Sequence, residues 1–213
     1  MALSLRGVVR RYGGFAGAFS VKDRLFGGSM AGRVSLRARL ERMAQREHSF
    51  RVSECIYGWT AAFQQTWSHI RIRIRLDPDE GIAGATMNNL RDTWRTGIQG
   101  VWSNRWGVGH RGEVTLPLTF EVQWVANNSH HTVRVRRGPE RSNMLTWDTD
   151  DTGAVAAHEC GHMFGHEDEY TDVNCPDRSP VNTGTIMDNN SNDVPARLMR
   201  RFAENLGSVV MAI

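Results

Sequence analysis

The chain reads as an α/β protein of the α+β kind: a mixed sheet, a packing helix, a helix carrying a metal site, and a C-terminal helix. Three observations predict this. Residues His69 to Leu76 and Leu116 to Val125 alternate apolar and polar side chains, the period of a strand with one buried face. Residues 86–103 place Met87, Leu90, Trp94, Ile98 and Val101 at helical spacing. Residues 158–170 set two histidines, a glutamate, a glycine and a carboxylate at intervals that suit a metal-bearing helix followed by a turn.

Taken in order, residues 1–45 are rich in Arg, Gly and Ser and read as an N-terminal extension: a pro-segment, a targeting segment or a disordered tail. Arg6, Arg10 and Arg11 interrupt what would be the apolar core of a secretory signal, so no standard signal is expected. Val34 to Gln45 has the pattern of a short basic helix. A single folded domain is expected over residues 46–213. Phe50 and Val52 alternate as in a strand, and Cys55 to Thr66 reads as a short helix or an irregular lead-in.

The strand at His69 to Leu76 turns Ile70, Ile72, Ile74 and Leu76 to one face and Arg71, Arg73 and Arg75 to the other. The arginine row is expected to be solvated or covered by acidic groups. Asp77-Pro78-Asp79 ends it. The helix at 86–103 follows, with Trp102 and Trp106 as packing residues, and then a turn through Gly107, Gly109 and Gly112. Leu116 to Val125 points Leu116, Leu118, Phe120, Val122 and Trp124 inward. A further strand runs from His131 to Arg137, with the His130-His131 pair read as loop rather than metal site. A last short strand, Asn143 to Trp147, leads to a helix capped by Asp151 or Thr152. Asn192 or Asp193 is expected to cap a final helix burying Leu198, Phe202, Leu206 and Val209.

The chemistry concentrates in His158-Glu159-Cys160-Gly161-His162-Met163-Phe164-Gly165-His166-Glu167-Asp168-Glu169-Tyr170. Two histidines four apart project from one helix face, a separation that suits two corners of a tetrahedral Zn²⁺ site. Glu159 leans to the side, where it can take a proton from a zinc-activated water and return it to a leaving amine. Gly165 permits a left-handed turn at the helix end. Asp168 then falls ten positions after His158, and a carboxylate oxygen is an acceptable zinc ligand. His166 is the alternative third ligand, and Glu204 on the later helix is a more distant one. Glu167 and Glu169 read as a solvated turn or as support for the ligands.

The run H-E-x-x-H-x-x-G-x-x-D resembles the metzincin zinc endopeptidases, and the tail Gly165 to Tyr170 is similar to their aspartate-bearing snapalysin-like branch. The resemblance covers about thirteen residues. It implies a metzincin-like fold, Zn²⁺ as cofactor, a protein or peptide substrate, and Asp168 as third ligand. It also implies a Met-turn, matched by Gly184-Thr185-Ile186-Met187-Asp188, with Met187 packing beneath the metal. Asn189 stands where some relatives carry a tyrosine, which leaves Tyr170 as the candidate for transition-state support. An exposed edge strand should hold substrate backbone, either 131–137 or 143–147.

Composition excludes some classes. Of the 213 residues, 40% are hydrophobic and seven are Trp, enough for a substantial core. No apolar run approaches the ~18 residues of a transmembrane helix. The formal net charge of +3 rests almost wholly on arginine and does not point to nucleic acid. Three cysteines, Cys55, Cys160 and Cys175, make no disulfide framework; in an oxidising compartment a Cys160–Cys175 bridge could staple the loop to the helix, and the sequence leaves the pairing open. Two other readings remain: a non-catalytic module stabilised by zinc, in which His166 would close the site as a fourth ligand, and a latent protease delivered as a toxin or effector.

Overall fold

A computed structural model describes residues 45–110 and 114–213. The expectations for residues 1–44 lie outside these. The described residues form a mixed α/β structure built on a six-stranded sheet and three helices, with a small three-stranded sheet beside them.

Strand β1 (Gln45–Glu54) and strand β2 (Tyr57–Thr66) make one long antiparallel hairpin, paired from Gln45↔Thr66 to Glu54↔Tyr57. This corrects the expectation of a helix or irregular lead-in over Cys55 to Thr66. Ala61 and Phe63 are buried and Trp59 partly so, a strand period that the short side chains of Ala61 and Ala62 obscure in the sequence. Cys55, at φ 50°, makes the tight turn.

Strand β3 (His69–Pro78) is the spine of the sheet. It pairs antiparallel with β2 over His69 to Arg71, and parallel with β6 (Thr119–Trp124) over His69 to Ile74. It also pairs parallel with β7 (His131–Arg136) from Ile74 onward. Since β6 overlaps both β2 and β7 along β3, it occupies one edge while β2 and β7 share the other. Strand β8 (Thr146–Asp148) adds parallel to β7 and ends the sheet. It starts later than expected because Asn143 and Thr146 exchange both backbone hydrogen bonds in a tight turn.

The isoleucines of β3 are buried, and its arginines are met by acids as expected: Arg71 by Glu121 at 2.8 Å and Arg73 by Glu47 at 3.1 Å. Helix α1 (Gly84–Trp102) lays Met87, Leu90, Trp94, Ile98 and Trp102 onto the core. Helix α2 (Gly153–Met163) crosses it where Gly97 meets Gly153; a β-carbon on Gly97 would stand 2.3 Å from the Gly153 Cα. Trp94 and Trp147 pack edge to face at 5.0 Å nearby.

The predicted strand Leu116 to Val125 is two strands. Pro117, which has no N–H to continue a ladder, ends β5 (Leu116–Pro117), and β5 joins β4 (Gly107–Gly109) and β9 (Val209–Met211) in the small sheet. Leu118, Phe120 and Val122 are buried as predicted, whereas Leu116 is 41% exposed. The C-terminal helix is also shorter than predicted. A 3₁₀ turn (Ala196–Met199) begins after Pro195, without a side-chain cap from Asn192 or Asp193, and runs into α3 (Arg200–Glu204). Gly207, at φ 60°, follows the helix end, and Val209 lies in β9, half exposed. Leu198 and Phe202 do enter the core. Among the described residues, no helix is long and apolar enough to cross a membrane.

Candidate metal centre

Helix α2 is anchored along its length before it presents any ligand. Thr152 caps it, its hydroxyl accepting from Val155 N at 3.3 Å, which resolves the choice between Asp151 and Thr152. Two tryptophans of α1 brace it: Trp94 Nε1 donates to the Asp151 carbonyl and Trp102 Nε1 to the Ala157 carbonyl, each at 2.9 Å. The helix closes through Gly165 at φ 95°, with Gly165 N donating to His162 O and His166 N to Gly161 O. A β-carbon there would also strike the Phe50 ring of β1 at 2.6 Å. Glycine is therefore required twice, for its backbone angle and for space.

The turn brings Asp168 back onto the helix. Asp168 Oδ1 lies 3.2 Å from His158 Nε2 and 3.2 Å from His162 Nε2. The three form a buried to half-buried cluster whose ligand atoms all lie within 4.8 Å of one another. The other nitrogen of each ring is committed: His158 Nδ1 donates to the Ile186 carbonyl at 2.7 Å and His162 Nδ1 to the His166 carbonyl at 2.8 Å. A carbonyl only accepts, so each neutral imidazole carries its proton on Nδ1 and a lone pair on Nε2. In that neutral form two lone pairs and a carboxylate oxygen converge. Asp168 Oδ1 is buried without a hydrogen-bond partner. Two imidazoles with one carboxylate are a donor set that could hold a metal ion, and one that suits zinc.

The rest of the site holds these atoms in place. Tyr170 donates its hydroxyl to Asp168 Oδ2 at 2.7 Å, and Arg141 donates to the Tyr170 oxygen. The phenol is thus placed to orient the carboxylate. Burial favours the neutral acid at Asp168, but with no metal bound, hydrogen bonds from the His158 and His162 rings, protonated at Nε2, and from the Tyr170 hydroxyl outweigh it and hold the carboxyl well below its usual range. Glu159 is buried with Oε2 unpartnered, and burial pushes its carboxyl up.

Residues Thr185 to Asp188 form a turn as the sequence predicts, with Asp188 N and Asn189 N both donating to Thr185 O. Met187 is fully buried against Gly161 of α2. Glu169 is not a solvated turn residue. Arg197, Thr183 and Thr185 all bond its carboxylate, and its N–H donates to the Met187 carbonyl at 2.8 Å, tying the ligand loop to the methionine turn.

His166 stands apart from the cluster. Its ring stacks on Trp102 at 5.5 Å, 5° from parallel, and burial lowers its pKa to about 3. It is half-buried and lies outside the group formed by His158, His162 and Asp168. Glu204 is exposed on α3 and lies outside the cluster. His131 is buried at the start of β7 with Nε2 bonded to the Ala62 carbonyl, and His130 pairs with Glu47; neither belongs to the cluster.

The Cys160–Cys175 bridge that the sequence allows does not form. Cys55 bonds Cys175, while Cys160 is a free thiol buried inside α2, on the core side of the helix. Sequence reasoning also missed Trp59, whose indole donates to the His162 carbonyl at 2.8 Å, and the buried pair Glu54–Arg178. No pattern near the motif marks these residues, because β1, β2 and the loop after Tyr170 meet only in the fold. Of the two strands expected to offer a free edge, β7 lies between β3 and β8, so β8 alone ends the sheet.

No protein-family profile matches the chain, and neither a curated protein nor a solved structure matches it.

Proposed function

We propose that the protein is a zinc-dependent endopeptidase of metzincin type, acting on protein or peptide substrates. The observation that carries this reading is the convergence of His158 Nε2, His162 Nε2 and Asp168 Oδ1, with both Nδ1 protons already given to backbone carbonyls. These three residues would hold the ion. A zinc ion bound there would supply Lewis acidity, making a water easier to deprotonate and a scissile carbonyl easier to attack.

The chain's own groups do the remaining work. Glu159 adjoins the first ligand, and its raised pKa brings it nearer neutrality, where a carboxylate can both accept a proton and release it. It would take the proton of the attacking water at its unpartnered Oε2 and deliver it to the departing amine. Three protein ligands leave a tetrahedral position for water and substrate, as in catalytic rather than structural sites. The stacking of His166 on Trp102, away from the three ligands, supports an open site over a closed, non-catalytic one. Tyr170 orients Asp168, and Met187 floors the helix that carries both histidines.

The test is a peptide-library digest by the purified chain, with and without a chelator, beside Glu159→Gln. Cleavage should appear, cease on chelation, return with zinc, and fall by about 10²–10⁴ in the variant while zinc stays bound. Cleavage at the wild-type rate by Glu159→Gln would remove its assigned role.

A further inference from the structure

The turn of the β1–β2 hairpin and the loop after the third ligand are joined twice. Cys55 bonds Cys175, with Cα atoms 5.5 Å apart. Beside it, Glu54 pairs with Arg178, both side chains about 95% or more buried. Arg178 then faces the metal cluster: Nη2 lies 3.7 Å from Asp168 Oδ2 and 3.8 Å from an Asp172 oxygen. Nη1 donates to the Tyr170 carbonyl at 2.8 Å, and the guanidinium stacks over the Tyr170 ring at 4.8 Å. Burial disfavours the Arg178 charge, but Glu54 and Asp168 outweigh it, so the cation persists among them. One buried guanidinium thus connects the hairpin to the oxygen of Asp168 that faces away from the histidines.

Resting on the zinc reading above, we propose that Arg178 is a positioning residue for the third ligand and that the Cys55–Cys175 disulfide latches it, so that metal affinity follows the oxidation state of this pair. With the disulfide intact, residues 168–178 are closed at both ends, by the ligand turn at one and by Cys175 and Arg178 on the hairpin at the other. Reduction releases one end. A dithiol reductant supplies two electrons and two protons, becomes a disulfide itself, and leaves Cys55 and Cys175 as thiols. Cys55 is exposed and gives the reductant access, whereas Cys160 is fully buried in α2 and out of reach for exchange. Freed of the covalent tie, the loop holds Arg178 and Asp168 only through non-covalent contacts.

The experiment measures zinc dissociation constants of the full chain by competition with a chromophoric chelator in reductant-free buffer, and visible spectra after cobalt(II) substitution. Wild type, C55S/C175S, Arg178→Gln and Arg178→Lys are compared, with circular dichroism checking the fold. Zinc binding should weaken at least ten-fold in C55S/C175S and in Arg178→Gln, with altered cobalt bands, and Arg178→Lys should recover part of the loss. A folded C55S/C175S that binds zinc as tightly as wild type overturns the latch. If that variant does not fold, Arg178→Gln, whose disulfide is intact, decides: unchanged affinity and spectrum overturn the proposal. A wild-type chain that binds no zinc would instead overturn the endopeptidase reading on which this rests.

Discussion

Gly161 and Met187 touch so closely that a β-carbon on Gly161 would stand 2.4 Å from the Met187 sulfur and 3.2 Å from the Trp102 ring. Gly161 lies between the two histidines in sequence, and the residue before Met187 supplies the carbonyl that orients His158. Alanine in a helix interior normally stabilises by about 1 kcal/mol over glycine. Here the overpacking cost of about 1–3 kcal/mol should win, because the contact is with a buried side chain on a constrained turn. Gly161→Ala should therefore lower the urea midpoint, and it should weaken zinc binding by displacing the Ile186 carbonyl. A raised midpoint would show that the turn yields freely.

Tyr170 gives a cleaner probe of ligand orientation, since its hydroxyl meets Asp168 Oδ2 and its ring stacks under Arg178. Tyr170→Phe keeps the ring and removes one hydrogen bond. Losing an outer partner of a metal ligand costs about 10–100-fold in metal affinity. Zinc competition should show a loss in that range with little change in thermal midpoint. An unchanged affinity would mean that Arg178 alone orients the carboxylate.

Acid should destabilise the fold through His131. Burial pushes its pKa down from 6.5 to about 4, so the folded protein keeps it neutral while the unfolded chain takes up a proton. The unfolded state then binds more protons between these values, and stability falls as pH drops from 6.5 toward 4. Between pH ~6.5 and ~5 the single site should remove about 2 kcal/mol. His131→Gln keeps a donor for the Ala62 carbonyl and does not titrate. Urea melts at pH 7 and pH 5 should show a decline about 2 kcal/mol shallower in that variant; parallel declines would exclude His131 as the source.

The fold and the site depend on contacts of two kinds, and the sequence displays only one. Strand β3, helix α1 and the His158-to-Asp168 cluster could be read from the chain because each is written in a local period or spacing: alternate isoleucines, apolar residues at helical intervals, a glycine at the end of a helix. His158, His162 and Asp168 come together because they lie within eleven residues. What the sequence conceals depends on partners far away in the chain. Strand β2 hides its period behind Ala61 and Ala62, and its role emerges only when Trp59 reaches His162, 103 residues on. Cys175 prefers Cys55, 120 residues distant, over Cys160, because α2 turns the Cys160 side chain into the core. Leu206 and Val209 continue a helical period in sequence, but Gly207 takes a left-handed angle and the chain leaves as strand β9. His166 looks like a better zinc donor than Asp168 by residue type, yet its ring is drawn against Trp102, where an apolar stack offsets the loss of solvent.

The central claim is that His158, His162 and Asp168 grip one divalent ion. Native mass spectrometry of the purified chain after zinc loading and desalting tests it directly. The account predicts one zinc per chain in the wild type, and none in His162→Ala or Asp168→Ala under the same desalting. A folded wild-type protein that emerges metal-free, or an Asp168→Ala variant that retains its zinc undiminished, would contradict it.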